Sequence, residues 1–184
     1  MARAGAEPTK EQLLVAMELR LNGINPITDP DYFFLPDFVG RVEMPELQYL
    51  ERTVFPDDGN MVYFIADEEG LDEEEATEDE MSEETEIWVA VYRRVPSGMQ
   101  TENPFSIDGD YFVKSTERNR IWSDFFRSMS VPDSTLGLGF VENVNITDNR
   151  PLWSNTPDEL EKWVGILFRV AVTFQFSRAE PWTT

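Results

Sequence analysis

Catalysis and metal binding draw on a short set of side chains, and this sequence lacks the most versatile of them. Its 184 residues include no cysteine and no histidine. Without cysteine there is no disulfide, no thiolate ligand and no thiol nucleophile. Without histidine the commonest general base and metal ligand are gone, and no histidine-dependent triad can assemble. What remains is carboxylate: 36 Asp and Glu stand against 15 Lys and Arg, for a net charge of −21. Carboxylate pairs do acid–base work only where a rigid cleft sets their pKa values apart. The sequence has no glycine-rich phosphate loop and no G-x-S-x-G elbow, and Gly137 and Gly139 form a bare G-x-G too common to use. Asp108-Gly109-Asp110 lacks the twelve-residue calcium pattern and reads as a turn. The expectation is a protein with no catalytic residues, no metal and no cofactor, which works by binding or assembly.

The carboxylates are concentrated. Residues 67–86 hold Asp67, Glu68, Glu69, Asp72, Glu73, Glu74, Glu75, Glu78, Asp79, Glu80, Glu83, Glu84 and Glu86. Setting these thirteen aside leaves −8 on the rest of the chain. Like charges repel and stay hydrated, so the run reads as a long solvated hairpin loop. Its alternative use is as a negative feature that lines a pore or docks a basic partner. Specific nucleic-acid binding is not expected, because phosphate contacts need clustered Lys and Arg.

Several elements must position these residues. Thr9 and Gln12 have capping-box spacing, Leu13, Met17 and Leu21 recur every four residues, and Gly23 supplies a stop, which places a helix at about Lys10–Asn22. Residues 24–58 form an extended arm broken by Pro26, Pro30, Pro36, Pro45 and Pro56, yet rich in aromatics. Val39–Met44 is a candidate short strand within it. Met61–Ala66 and Glu86–Val95 read as a hairpin, with Ile87, Val89 and Val91 on one face of the second strand and Trp88, Ala90 and Tyr92 on the other. Both faces are apolar, so this strand belongs in the sheet centre.

A second helix follows, capped at Ser115, with Ile121, Trp122, Phe125, Phe126 and Met129 as one broad sheet-facing stripe and Val131-Pro132 as its end. Phe140–Ile146 reads as a strand, and Thr156-Pro157-Asp158-Glu159 as a short helix start. From Ile166 to Phe176 apolar residues alternate with polar or small ones, the pattern of a long antiparallel strand with one buried face. The expected architecture is a single α+β domain over residues 1–184. It has about four mainly antiparallel strands and two amphipathic helices on one face, with the arm and the acidic loop as insertions. No apolar run is long enough for a membrane span, and no secretory signal is seen.

From residue 60 onward the pattern resembles the tail-terminator and neck-terminator proteins of long-tailed phages. Three stretches carry the likeness. They are EIWVAVYRRV followed by the helix STERNRIWSDFFRSM, then GLGFVENVNITDNRPLWSNTPDE, then the closing strand KWVGILFRVAVTFQFSRAE. The first helix also sits where the family places one. The longer aromatic arm and the larger acidic insertion depart from the family pattern.

The resemblance implies a virion protein, assembled in the host cytoplasm, that caps the tail tube as a ring, usually of six copies. Its partners would be copies of itself, the tail tube protein and a head-side connector or neck protein. DNA would pass through the lumen without specific binding, and acidic lumen residues would keep it mobile. The arm aromatics Tyr32, Phe33, Phe34 and Phe38 are the expected subunit contacts, since aromatics are enriched at binding hot spots. Other head–tail connectors and tail-tube-like proteins share this architecture. A reading from a different class is an acidic inhibitor that mimics DNA, which requires carboxylates fixed on ordered elements.

Overall fold

The computed structural model describes residues 9–43, 61–67, 80–94, 110–152 and 163–177. The elements run α1 (Thr9–Asn22), β1 (Pro36–Glu43), β2 (Met61–Asp67), β3 (Glu80–Arg94), α2 (Asp110–Ser130), β4 (Val141–Leu152) and β5 (Trp163–Ser177). The strands form one five-stranded sheet in the order β1-β2-β3-β5-β4. β1 pairs with β2 in parallel, and the other three pairings are antiparallel. The sheet is therefore mixed and has one strand more than the sequence pattern predicts.

The extra strand lies in the arm. Its signal is weak because an edge strand tolerates the Pro36 and Gly40 that break the pattern, and because its parallel partner is distant in sequence. Arg41 ties it to the helix layer. Its guanidinium reaches Glu11 at 2.7 Å and Glu18 at 2.9 Å, two α1 residues one above the other on the same side.

β3 starts six residues earlier than the hydrophobic pattern alone indicates. β5 runs the full fifteen residues beside it, from Glu80↔Ser177 to Arg94↔Trp163, while β2 pairs only from Ile87 on. Glu80–Glu86 thus gains a backbone partner at every position, which overrides its poor strand propensity. Glu80, Glu83 and Glu84, expected in a loop, belong to this strand together with Glu86, its expected first residue. The ordered length of the strand is possible because Arg169 of β5 pairs with Glu86 and Glu84 points to solvent. Asp67 ends β2. Glu68, Glu69, Asp72, Glu73, Glu74, Glu75, Glu78 and Asp79 lie outside the described residues, as do residues 44–58 of the arm and the expected helix start at Thr156.

Both helices lie on one face. Leu13, Met17, Leu21, Ile121, Phe125 and Met129 meet Tyr63, Ile65, Val89, Phe168, Val170 and Val172 in a single buried cluster. Phe125 stacks on Phe168 at 4.0 Å and on Tyr63 at 6.5 Å. The opposite face holds a smaller cluster of Val62, Phe64, Ala66 and Ala90, with Trp88, Tyr92 and Leu167 packed against it. The expected split of β3 into two apolar faces is what the register produces. α2 begins at Asp110, not at Ser115. Asp110, expected in a turn, is the first residue of the helix.

Candidate functional site

The arm aromatics do not make one surface. Phe34 is 9% exposed and belongs to the core, with the Arg93 guanidinium 4.0 Å from its ring centroid. Tyr32 is half-buried beneath Arg127. Phe33 is exposed beside Arg120 on the helix side. Phe38 is exposed too, but its ring packs on Phe64 at 5.7 Å, in the cluster on the other face of the sheet. That ring lies over Gly40, where a Cβ would overlap it. Of the four expected contact residues, only Phe33 and Phe38 offer open surface, and they offer it on different faces.

The arm is clipped to α2 by charge. Asp124 is fully buried, and its carboxylate accepts the backbone N–H of Phe33 at 3.0 Å and of Phe34 at 2.9 Å. Burial raises the Asp124 pKa, and the two amide donors offset part of that rise. Beside it the Tyr63 hydroxyl is wholly buried, with no hydrogen-bond partner among the described residues. Burial, followed by the nearby Asp124 and Tyr32, pushes its pKa well up. One turn along α2, Arg127 bridges Asp29 and Asp31, each at 3.0 Å.

At the other end, buried Glu117 binds Arg93 and, at 3.0 Å, Arg120. Burial, then the neighbouring Arg120, lowers the Arg93 pKa to about 10, so it stays cationic at neutral pH. These polar groups are structural latches between arm, helix and sheet. Apart from the Tyr63 hydroxyl, each is paired with a protein partner. Among the described residues no three Asp or Glu converge as a metal site would require, and no helix is long and apolar enough to cross a membrane.

The open surface lies elsewhere on α2. Trp122 and Phe126 stack at 5.0 Å with their planes 8° apart, and they are 39% and 46% exposed. The sequence pattern places them in the core stripe, but only Ile121, Phe125 and Met129 of that stripe are buried. The reason is angular. Residues 122 and 126 sit about 100° round the helix from 121 and 125, and the arm has taken the other flank through Arg120, Asp124 and Arg127. Buried Glu117, Asp124 and Ser128 fill the arc that the aromatics leave.

A second open feature lies along α1, beside the turn that follows α2. Gln12, Val15, Ala16, Leu19 and Arg20 of α1 face Leu136 and Leu138 across an apolar groove of about 410 Å³. Arg20 holds its wall in place by donating to the Val131 carbonyl and pairing with Asp133 at 3.3 Å. Asp133 in turn accepts from the Thr135 hydroxyl, the Thr135 N–H and the Gly137 N–H, which hold its pKa down at about 2. This turn forces Leu136 into the left-handed region at φ 56°, a cost of about 1–2 kcal/mol for a residue with a Cβ. The strained residue is buried against the groove.

Both outer strands are open among the described residues. β1 has β2 on one side and β4 has β5 on one side. β4 is mostly exposed, and its pairing shifts register at Val141/Asn143 and Ile146/Asp148. Such bulges protect an edge from uncontrolled pairing. No protein-family model matches the chain, and a search of curated proteins finds no relative.

Proposed function

We propose that this chain is a structural protein of a phage virion: a tail terminator that caps the tail tube as a ring of about six copies and joins it to the head-side connector. The observation that carries the reading is the uneven surface of the fold. Paired charged groups lie in the interior, and the exposed apolar surface, which also includes Ile27, Phe33, Leu35, Phe38 and Val131, has two unlike features on the helices, the Trp122–Phe126 stack and the groove beside Leu19. Unlike surfaces on one molecule suit a head-to-tail contact, and a head-to-tail contact builds a ring where its rotation closes. The α+β layer order and the likeness of residues 60–184 to terminators favour this assembly over others. DNA in the lumen would meet a chain of net charge −21 and slide without adhering. Other head–tail connectors and tail-tube-like proteins would share these features.

One observation favours a second reading. Glu80, Glu83, Glu84 and Glu86 stand on an ordered strand, as a DNA-mimicking inhibitor of a basic protein would need. Mass separates the two. Negative-stain microscopy and native mass spectrometry of the purified protein should show rings with a central hole near 128 kDa, six times 21.3 kDa. A uniform 21.3 kDa species that binds a basic protein would instead support the mimic.

A further inference from the structure

We propose that the Trp122–Phe126 stack of one copy seats in the groove between α1 and the 133–138 turn of the next, joining identical chains head to tail. This contact rests on the ring reading above and names the surface that builds it. The stack is a pair of near-parallel, half-exposed rings, and the groove is an apolar slot of about 410 Å³ whose lining residues Val15 and Leu19 are 40% and 68% exposed. Within one copy the two stay apart: neither aromatic lines the groove, and both turn away from the arm side of α2.

Charge selects a second copy as the occupant. A chain of net charge −21 repels itself wherever carboxylates face each other. The proposed surfaces are the places where they do not. Between Ser115 and Ser130 the two acidic residues of α2, Glu117 and Asp124, are both buried. No carboxylate lines the groove, and the α1 acids Glu11 and Glu18 share Arg41, whose one positive charge offsets one of their two negative charges.

The stack supplies part of the area. With 39% and 46% of their surface still open, the Trp and the Phe have on the order of 200 Å² left to bury, about a quarter of the roughly 800 Å² per partner of a standard interface. The pair would form the dry centre of the contact, with polar neighbours as its rim. The Leu136 strain and the Arg20–Asp133 clamp keep the slot formed before binding, which lowers the ordering cost of association.

The chain has no cysteine, which makes a clean crosslinking test possible. Trp122→Cys and Leu19→Cys proteins, mixed under mild oxidation, should give covalent dimers, and neither should do so alone. Trp122→Ser/Phe126→Ser should keep its circular dichroism spectrum and assemble at least about 100-fold more weakly, as expected for two central aromatics. If wild-type rings form and the double variant assembles as well as wild type, this contact is wrong and the ring reading stands. If wild-type protein remains at 21.3 kDa at every concentration, both fail. Efficient crosslinking of Trp122→Cys alone would mean a two-fold dimer and overturn the head-to-tail contact. So would loss of binding to a duplex oligonucleotide in the double variant with the oligomer unchanged.

Discussion

Two apolar stripes run side by side along α2 and meet opposite fates. Ile121, Phe125 and Met129 are at most 1% exposed, while Trp122 and Phe126, one residue further on, keep 39% and 46% of their surface open. All five are large and apolar. What differs is what the docked arm leaves for them. The arm docks on the Arg120–Asp124–Arg127 side and draws the helix round, so that two carboxylates and a serine are buried and two large aromatics are not. The comparison teaches that an apolar stripe wider than one sheet contact can absorb is divided by its polar neighbours, and the surplus becomes surface for another molecule.

The sharpest way to break the comparison is to truncate each stripe in turn. Phe125→Ala should cost about 3–5 kcal/mol in chemical denaturation, because it opens a cavity between Tyr63 and Phe168. A loss under 1 kcal/mol would mean that the core is not organised around this ring. Next in size, Asp124→Ala should cost about 2–3 kcal/mol, since it strands the buried amides of Phe33 and Phe34. Hydrogen exchange at those two amides should rise with it. Unchanged exchange would show that the arm does not depend on the carboxylate.

A smaller effect is expected at the turn that shapes the groove. The Asp133 pKa of about 2 lies below its ordinary 3.8, so the folded state favours the ionised form. The stability this gives is present above pH 3.8 and is lost as the pH falls through about 2. Asp133→Asn should therefore flatten that part of the acid denaturation profile, and an unaltered profile would contradict the turn geometry. Trp122→Ser/Phe126→Ser should cost the dissociated chain no more than about 1–2 kcal/mol, well below Phe125→Ala alone, since it removes one stack of two half-exposed rings. A larger loss would place the stack in the core after all.

Much of the fold was legible from periodicity. The α1 stripe at Leu13, Met17 and Leu21, the two-faced Ile87–Tyr92 stretch and the alternation from Ile166 each fixed an element and its buried side, because local pattern and tertiary partner agree there. The misses share a cause: each was decided by something remote in sequence. The candidate strand Val39–Met44 is present as β1, but its start at Pro36 and its parallel place beside β2 were not legible. Glu80–Glu86 is strand because β5 extends beside it. Phe34 is core and Phe38 is surface because Asp124 and Phe64 hold them, from opposite sides of the sheet. The division of the α2 stripe had one visible clue, the Glu117, Asp124 and Ser128 spacing. Those polar residues recur on a helix side that leaves no room for Trp122 within the same buried arc.

The most direct test is hydroxyl-radical footprinting of wild-type protein across a concentration series. Labelling of Trp122 and Phe126 should fall as concentration rises, with Leu19 falling in step. Equal labelling of the pair from the most dilute to the most concentrated sample would show that no copy covers it and contradict the account.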